Sequence, residues 1–127
     1  MQNAGCKMRA NMENLIVEKS FAFAVRIVKA YQHLTKTKRE FVLSKQLLRS
    51  GTSIGANVSE AQRGQTKADF HTKMSIALKE ANETDYWLKL LYSTDYLTDK
   101  QFESLNKDIT ELLGILIAIC KTTDNAK

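Results

Sequence analysis

Ser53-Ile54-Gly55-Ala56-Asn57-Val58-Ser59-Glu60-Ala61-Gln62-Arg63-Gly64 is small, polar and poorly helical, yet strongly helical patterns lie on both sides of it. Gly51, Thr52, Ser53, Gly55, Asn57 and Ser59 are weak helix formers, and each glycine costs about 1 kcal/mol against alanine in a helix interior. Composition alone reads as a loop. Spacing reads otherwise. Leu43, Leu47, Ser50, Ile54, Asn57 and Ala61 recur at steps of four, three, four, three and four, which is one helical face. A helix of poor propensity persists when tertiary packing compensates, and small side chains let a neighbour approach closely. The expectation is a helix from about Arg39 to Gln62, ended by Gly64. Asn57 would then turn inward, where an unpaired amide costs about 1–3 kcal/mol. A buried polar residue of this kind can fix register in a bundle.

The neighbouring segments are more regular. Asn14 to Leu34 carries two adjacent apolar stripes. Val17, Phe21, Ala24, Val28 and Tyr31 form one; Ile16, Phe23, Ile27 and Leu34 form the other. Together they are wider than a bundle core usually needs. That width points either to a second subunit or to a helix wedged between two neighbours. Thr35 to Lys38 is a short connection, so the first two helices should be antiparallel. A third helix is expected from Thr66, a capping residue, with Asp69 in its first turn. Phe70, Met74, Ala77, Ala81, Thr84, Leu88 and Leu91 make the cleanest heptad stripe in the chain. Trp87 would border that stripe, its N–H near water or a partner. Glu80, Glu83 and Asp85 make this helix acidic, able to face basic helix 1 or 2 within a subunit or between subunits. Thr98 and Gln101 form a capping-box pair ahead of Phe102, Leu105, Ile109, Leu112, Leu116 and Ile119. Leu113, Ile117 and Cys120 widen that face as well. These patterns predict an all-α, up-down-up-down antiparallel four-helix bundle over residues 13–122. Residues 1–12 would be a flexible tail and residues 123–127 a frayed end.

A chain of 127 residues fits one domain with a fair core, and the absence of proline suits long helices. No secretory signal is visible. The longest apolar run, Leu112 to Cys120, is too short to cross a membrane. Cys6 and Cys120 make neither a disulfide framework nor a metal cluster and read as a free thiol and a core filler. A cytoplasmic location is expected, with no membrane contact, metal or cofactor. Gly51-Thr52-Ser53-Ile54-Gly55 lacks the Gly-Lys-Ser/Thr ending and the preceding strand of a phosphate loop. His71 is expected to be exposed. Arg26 and His33 resemble the Arg-x6-His motif of HEPN-domain ribonucleases. Only those two residues match, and a general acid–base needs positioned partners that the sequence does not supply. No catalytic residue is assigned, and a HEPN-like ribonuclease is the remote alternative.

Charge is more informative. The net is +5. Residues 1–63 hold 11 Lys/Arg and 4 Asp/Glu, or +7, and residues 64–127 hold 8 and 10, or −2. A basic half suggests an acidic partner such as RNA or DNA. Its carriers would be Arg26, Lys29, Lys36, Lys38, Arg39, Lys45, Arg49 and Arg63. The alternative is a protein-interaction scaffold whose basic half meets an acidic helix. Glu60 and Arg63 could pair with each other or across to a neighbouring helix.

Gln46-Leu47-Leu48-Arg49-Ser50, then Ser53 to Ala61, then Arg63-Gly64 and Phe70, resemble the signature of the four-helix-bundle proteins encoded in intervening sequences of bacterial 23S rRNA genes. The likeness spans Leu15 to Ile119 and extends to the accessory variability proteins of diversity-generating retroelements. Its motif residues here are Ser53, Ile54, Ala56, Asn57, Glu60, Arg63 and Gly64. The resemblance implies a four-helix bundle that assembles as a homopentameric barrel. In the retroelement relatives the barrel binds nucleic acid and a reverse transcriptase. For most of the family no activity is established.

Overall fold

The structure, a computed structural model, describes residues 4–125, and their side chains from residue 10 to residue 124. Four helices follow one another: α1 (Ala4–Lys36), α2 (Leu43–Ala61), α3 (Lys67–Ser93) and α4 (Asp99–Asn125). No strand occurs among the described residues. Contacts across each pair show the antiparallel order. Gly51 of α2 lies under Ile27 of α1, Arg49 of α2 meets Glu80 of α3, His71 of α3 meets Thr123 of α4, and Lys19 of α1 meets Glu111 of α4. The expected all-α four-helix bundle is what forms.

The stretch 50–61 is helical throughout, and its small residues explain how. A Cβ on Gly51 would stand 2.8 Å from both Cγ1 and Cγ2 of Ile27. One on Gly55 would stand 3.2 Å from the Ser20 carbonyl oxygen. Helix α1 presses so close that almost any side chain would collide. This approach also turns the helix slightly from the predicted face. Ser44, Leu47, Ser50, Gly51, Ile54, Val58 and Ala61 are buried, whereas Leu43 and Asn57 are only half-buried. Val58 takes the inward place expected of Asn57. The Asn57 amide instead donates to the Ser53 carbonyl at 2.8 Å, one turn back on its own helix, so it fixes no register across the core.

Helix α2 begins at Leu43, later than the predicted Arg39. Arg39 is left-handed, with φ 57, which a continuing helix forbids. Glu40 supplies the cap. Its carboxylate accepts from the backbone N–H groups of Val42, Leu43 and Ser44 at 2.8, 2.6 and 2.8 Å. The Ser44 hydroxyl donates back to the Glu40 carbonyl at 2.8 Å. Three of the donors left over at a helix start are thus satisfied by one buried side chain. At its other end α2 stops at Ala61. Gly64 is not used for left-handed backbone, since no described glycine has positive φ. It gives room instead: a Cβ there would lie 3.3 Å from Asp69 Cβ and from the Phe70 nitrogen.

Helices α3 and α4 follow the predicted stripes. Met74, Ala77, Ala81, Thr84, Leu88 and Leu91 are buried in α3; Leu105, Ile109, Leu112, Leu116 and Ile119 are buried in α4. Thr66 caps α3 by accepting from Asp69 N–H at 3.0 Å. Thr98 and Gln101 form the expected reciprocal box at 2.9 and 3.2 Å. Helix α1 starts at Ala4, well before Asn14, because Ala4 to Asn11 contain good helix formers and no breaker except Gly5. Of the tail expected at residues 1–12 and the frayed end expected at 123–127, residues 4–12 continue α1 and residues 123–125 continue α4, while residues 1–3 and 126–127 lie outside the described residues. Of the two apolar stripes of α1, that of Ile16, Phe23, Ile27 and Leu34 enters the core. The other mostly does not: Phe21 is 71% exposed, Val17 and Val28 are exposed too, and Ala24 and Tyr31 are half-buried. Neighbouring helices of the same chain therefore do not account for the second stripe.

Candidate nucleic-acid interface

The eight predicted basic residues do not share one surface. Two are engaged within the chain. Arg26 reaches from α1 to α4, where its guanidinium donates to Asp108 Oδ2 at 2.5 Å and to Ser104 Oγ at 2.7 Å. Arg49 reaches from α2 to α3 and lies between Glu80, at 3.3 Å, and Glu83. Glu83 also accepts from the Trp87 indole N–H at 2.9 Å, the partner that this ring was expected to need. The acidic face of α3 is therefore met in part by α2 of the same chain. These pairs are half exposed, so each adds only about 0–1 kcal/mol to stability. Their larger effect is to cancel two positive charges that the sequence tally counts as free.

Arg63 is separated by topology. It lies in the α2–α3 turn, at the opposite end of the bundle from the α1–α2 turn. Glu60 and Asp69 line the same shallow cleft. Glu60 pairs across to Lys73 of α3 at 2.9 Å, not to Arg63. Among the motif residues, Ile54 is fully buried, Ser53 and Asn57 are half-buried, and Ala56 and Glu60 are exposed. Of the motif, Ile54 thus packs in the core, while Glu60, Arg63 and Gly64 line the cleft at the tight α2–α3 turn.

Lys36, Lys38, Arg39 and Lys45 remain together. All four are exposed, and all lie at the end of the bundle formed by the α1–α2 turn. None makes an ion pair among the described residues. Arg39 lies over Phe41, its guanidinium carbon 5.2 Å from the ring centre. Lys29 is exposed too, further down α1 towards α4. The left-handed Arg39 makes the turn tight, and Thr37 and Lys38 both donate to the His33 carbonyl, so these charges are held on a short, ordered loop. Phosphate groups reward such a cluster by counterion release. The charge tally could find the cluster. It could not show that Arg26, Arg49 and Arg63 stand apart from it.

The sequence profile of the family described as 23S rRNA-intervening sequence protein matches residues 12–118. The chain belongs to this family. A crystal structure of a protein of unknown function from the S23 ribosomal protein family of Bacteroides thetaiotaomicron is similar, with 56% identity and a TM-score of 0.85. The match covers 87% of this chain and 98% of that one. No curated protein matches the chain. No described helix of this family member is long and apolar enough to cross a membrane.

The remaining polar groups offer other chemistry. His71 is half-buried, contrary to expectation, because the last turns of α4 pack beside the first turns of α3. Its Nδ1 lies 2.6 Å from the Thr123 hydroxyl, and Nε2 lies 3.4 Å from Ser75 Oγ. Cys120 is a free, half-buried thiol. Burial pushes its pKa up, outweighing a hydrogen bond with Ser75, so it is a poor thiolate source. Among the residues with described side chains, no group of His, Cys, Asp and Glu is arranged to hold a metal. Arg26 and His33 border one cleft between α1 and α4, but the Arg26 guanidinium is committed to Asp108 and Ser104.

Proposed function

We propose that this protein is a non-enzymatic, homo-oligomeric accessory protein of the cytoplasm that holds RNA or DNA at the α1–α2 end of its bundle. The observation that carries the reading is the cluster of Lys36, Lys38, Arg39 and Lys45, exposed and without acidic partners among the described residues. The exposed stripe of α1, with Phe21 at its centre, supports self-association, since large apolar patches on soluble proteins mark interaction sites. The resemblance to retroelement accessory proteins makes a pentamer the expected assembly and a reverse transcriptase-like protein a partner of the same surface. Copies in a ring would multiply weak contacts by avidity. Binding should be tolerant of sequence and should collapse with salt.

Light scattering counts the subunits, and a mobility-shift titration at rising salt tests the interface. The Lys36→Gln/Lys38→Gln double variant should weaken binding and flatten its salt dependence by roughly one charge per lysine removed. Absence of any binding by the wild type at low salt would refute the interface. Phe41 and Val42, 53% and 73% exposed beside the same cluster, favour a second reading: a scaffold that meets an acidic protein there. A pull-down from native lysate that recovers protein and no nucleic acid would select it.

A further inference from the structure

Phe41 lies in the short segment between α1 and α2, beside the basic cluster, and is 53% exposed. An aromatic side chain gains stability by leaving water, yet this ring is held outside the core by a turn that is ordered on both sides of it. On one side Arg39 adopts the left-handed conformation, φ 57, which is uncommon and unfavourable for a residue other than glycine. Its guanidinium carbon lies over the ring, 5.2 Å from the centre. On the other side the Glu40 carboxylate accepts from the N–H groups of Val42, Leu43 and Ser44, which fixes the backbone next to the ring. No second ring stacks on Phe41 among the described side chains. The turn thus presents a flat apolar surface in a preset orientation, and a ligand that lies on it orders little that is not ordered already.

Lys36, Lys38 and Lys45 are exposed at the same end of the bundle, without ion pairs among the described residues. A fitting ligand therefore carries a flat face and negative charge together. An acidic peptide segment brings the charge without the face. A duplex brings both, but its bases lie on one another, and reaching one means unstacking it. Unpaired nucleotides offer a free base with a phosphate on either side. Arg39 suits the same ligand, since a guanidinium stacks on bases and also bonds phosphate. We propose that Phe41, braced by Arg39, is a stacking platform for an unpaired base, so that the α1–α2 end takes single-stranded nucleic acid in preference to duplex. This rests on the reading of the cluster as a nucleic-acid surface and adds to it the form of the strand. The phosphates that flank the stacked base meet Lys36, Lys38 and Lys45.

Fluorescence anisotropy of the full chain at low salt, with labelled strands of equal length, tests the platform. The probes are oligothymidylate, oligouridylate, an abasic deoxyribose-phosphate strand and a mixed-sequence duplex. The wild type should bind oligothymidylate or oligouridylate about tenfold more tightly than the abasic strand, and more tightly than the duplex. Tighter binding of either strand supports the platform, and their ratio identifies the preferred sugar. Phe41→Ala should bring the base-bearing strands down to the level of the abasic one, whereas Phe41→Trp should keep the preference. Thermal melts matching the wild type are expected for both variants, because the ring lies outside the core. Lys36→Gln/Lys38→Gln should weaken all four probes together, since every one carries phosphate. Equal wild-type affinity for base-bearing and abasic strands, tighter binding of the duplex, or a preference that survives Phe41→Ala would overturn the platform and leave the phosphate surface standing. Failure of every strand to bind would overturn both, and binding of poly-glutamate in that case would select an acidic protein as the partner.

Discussion

The middle of α2 and the middle of α4 solve the same packing problem in opposite ways. In α2 the inward residues are small: Ser50 and Gly51 are buried beside Ile54 and Val58, and α1 lies so close that Gly51 has no room for a methyl group. In α4 the inward residues are large, with Leu112, Leu116 and Ile119 buried, and its glycine faces outward. A Cβ on Gly114 would meet nothing within 4 Å. One glycine is demanded by a neighbour and the other is not. Helix propensity treats the two alike; only what lies across from each tells them apart. The buried hydroxyls of Ser50 and Thr84, 2.9 Å apart, extend the contrast, since α2 meets α3 partly through polar groups that satisfy one another.

The largest expected effect separates a tightly held side chain from a loosely held one. Ile54→Ala should cost about 2–5 kcal/mol, because its site is fully buried and has little freedom to collapse. Ile117→Ala, at a position 48% exposed on α4, should cost under about 1 kcal/mol. Equal losses by chemical denaturation would show that another chain covers Ile117. Glu40→Ala should come next, at about 1–2 kcal/mol, since it uncaps the start of α2. Burial raises the Glu40 pKa, but the hydrogen bonds from Ser44, Leu43 and Val42 lower it by more, so the net shift is downward. Its contribution is therefore complete above the ordinary glutamate range and is lost as pH falls through the lowered folded value. Thermal melts on acidification should show the gap between wild type and Glu40→Ala closing. The smallest effect is a gain. Gly114→Ala should add about 0.4–1 kcal/mol by restricting the unfolded chain, and a loss would place a second subunit over that face.

The four helices were legible because hydrophobic period survives even where propensity is poor, as Leu47, Ser50 and Ile54 show. The caps at Thr66 and Thr98 were legible because their partners lie three residues away. The start of α2 was not, because it depends on a left-handed arginine and a glutamate cap that no local pattern announces. The inward turn of Val58 in place of Asn57 follows from how closely α1 approaches, a tertiary distance. The candidate interface was half legible. Lys36, Lys38 and Arg39 are neighbours in sequence, whereas the partners of Arg26 and Arg49 lie on other helices. That Arg39 lies over an exposed Phe41 needed the folded turn to be seen at all.

A double-mutant cycle on Gly51 and Ile27 tests most directly whether close approach by α1 holds the weak helix in place. Gly51→Ala in the wild-type background should cost about 1–2 kcal/mol, the collision with Ile27 outweighing the gain of about 1 kcal/mol in propensity. In the Ile27→Ala background, where the colliding methyl groups are gone, the same change should become neutral or stabilising. An identical cost in both backgrounds would contradict the account.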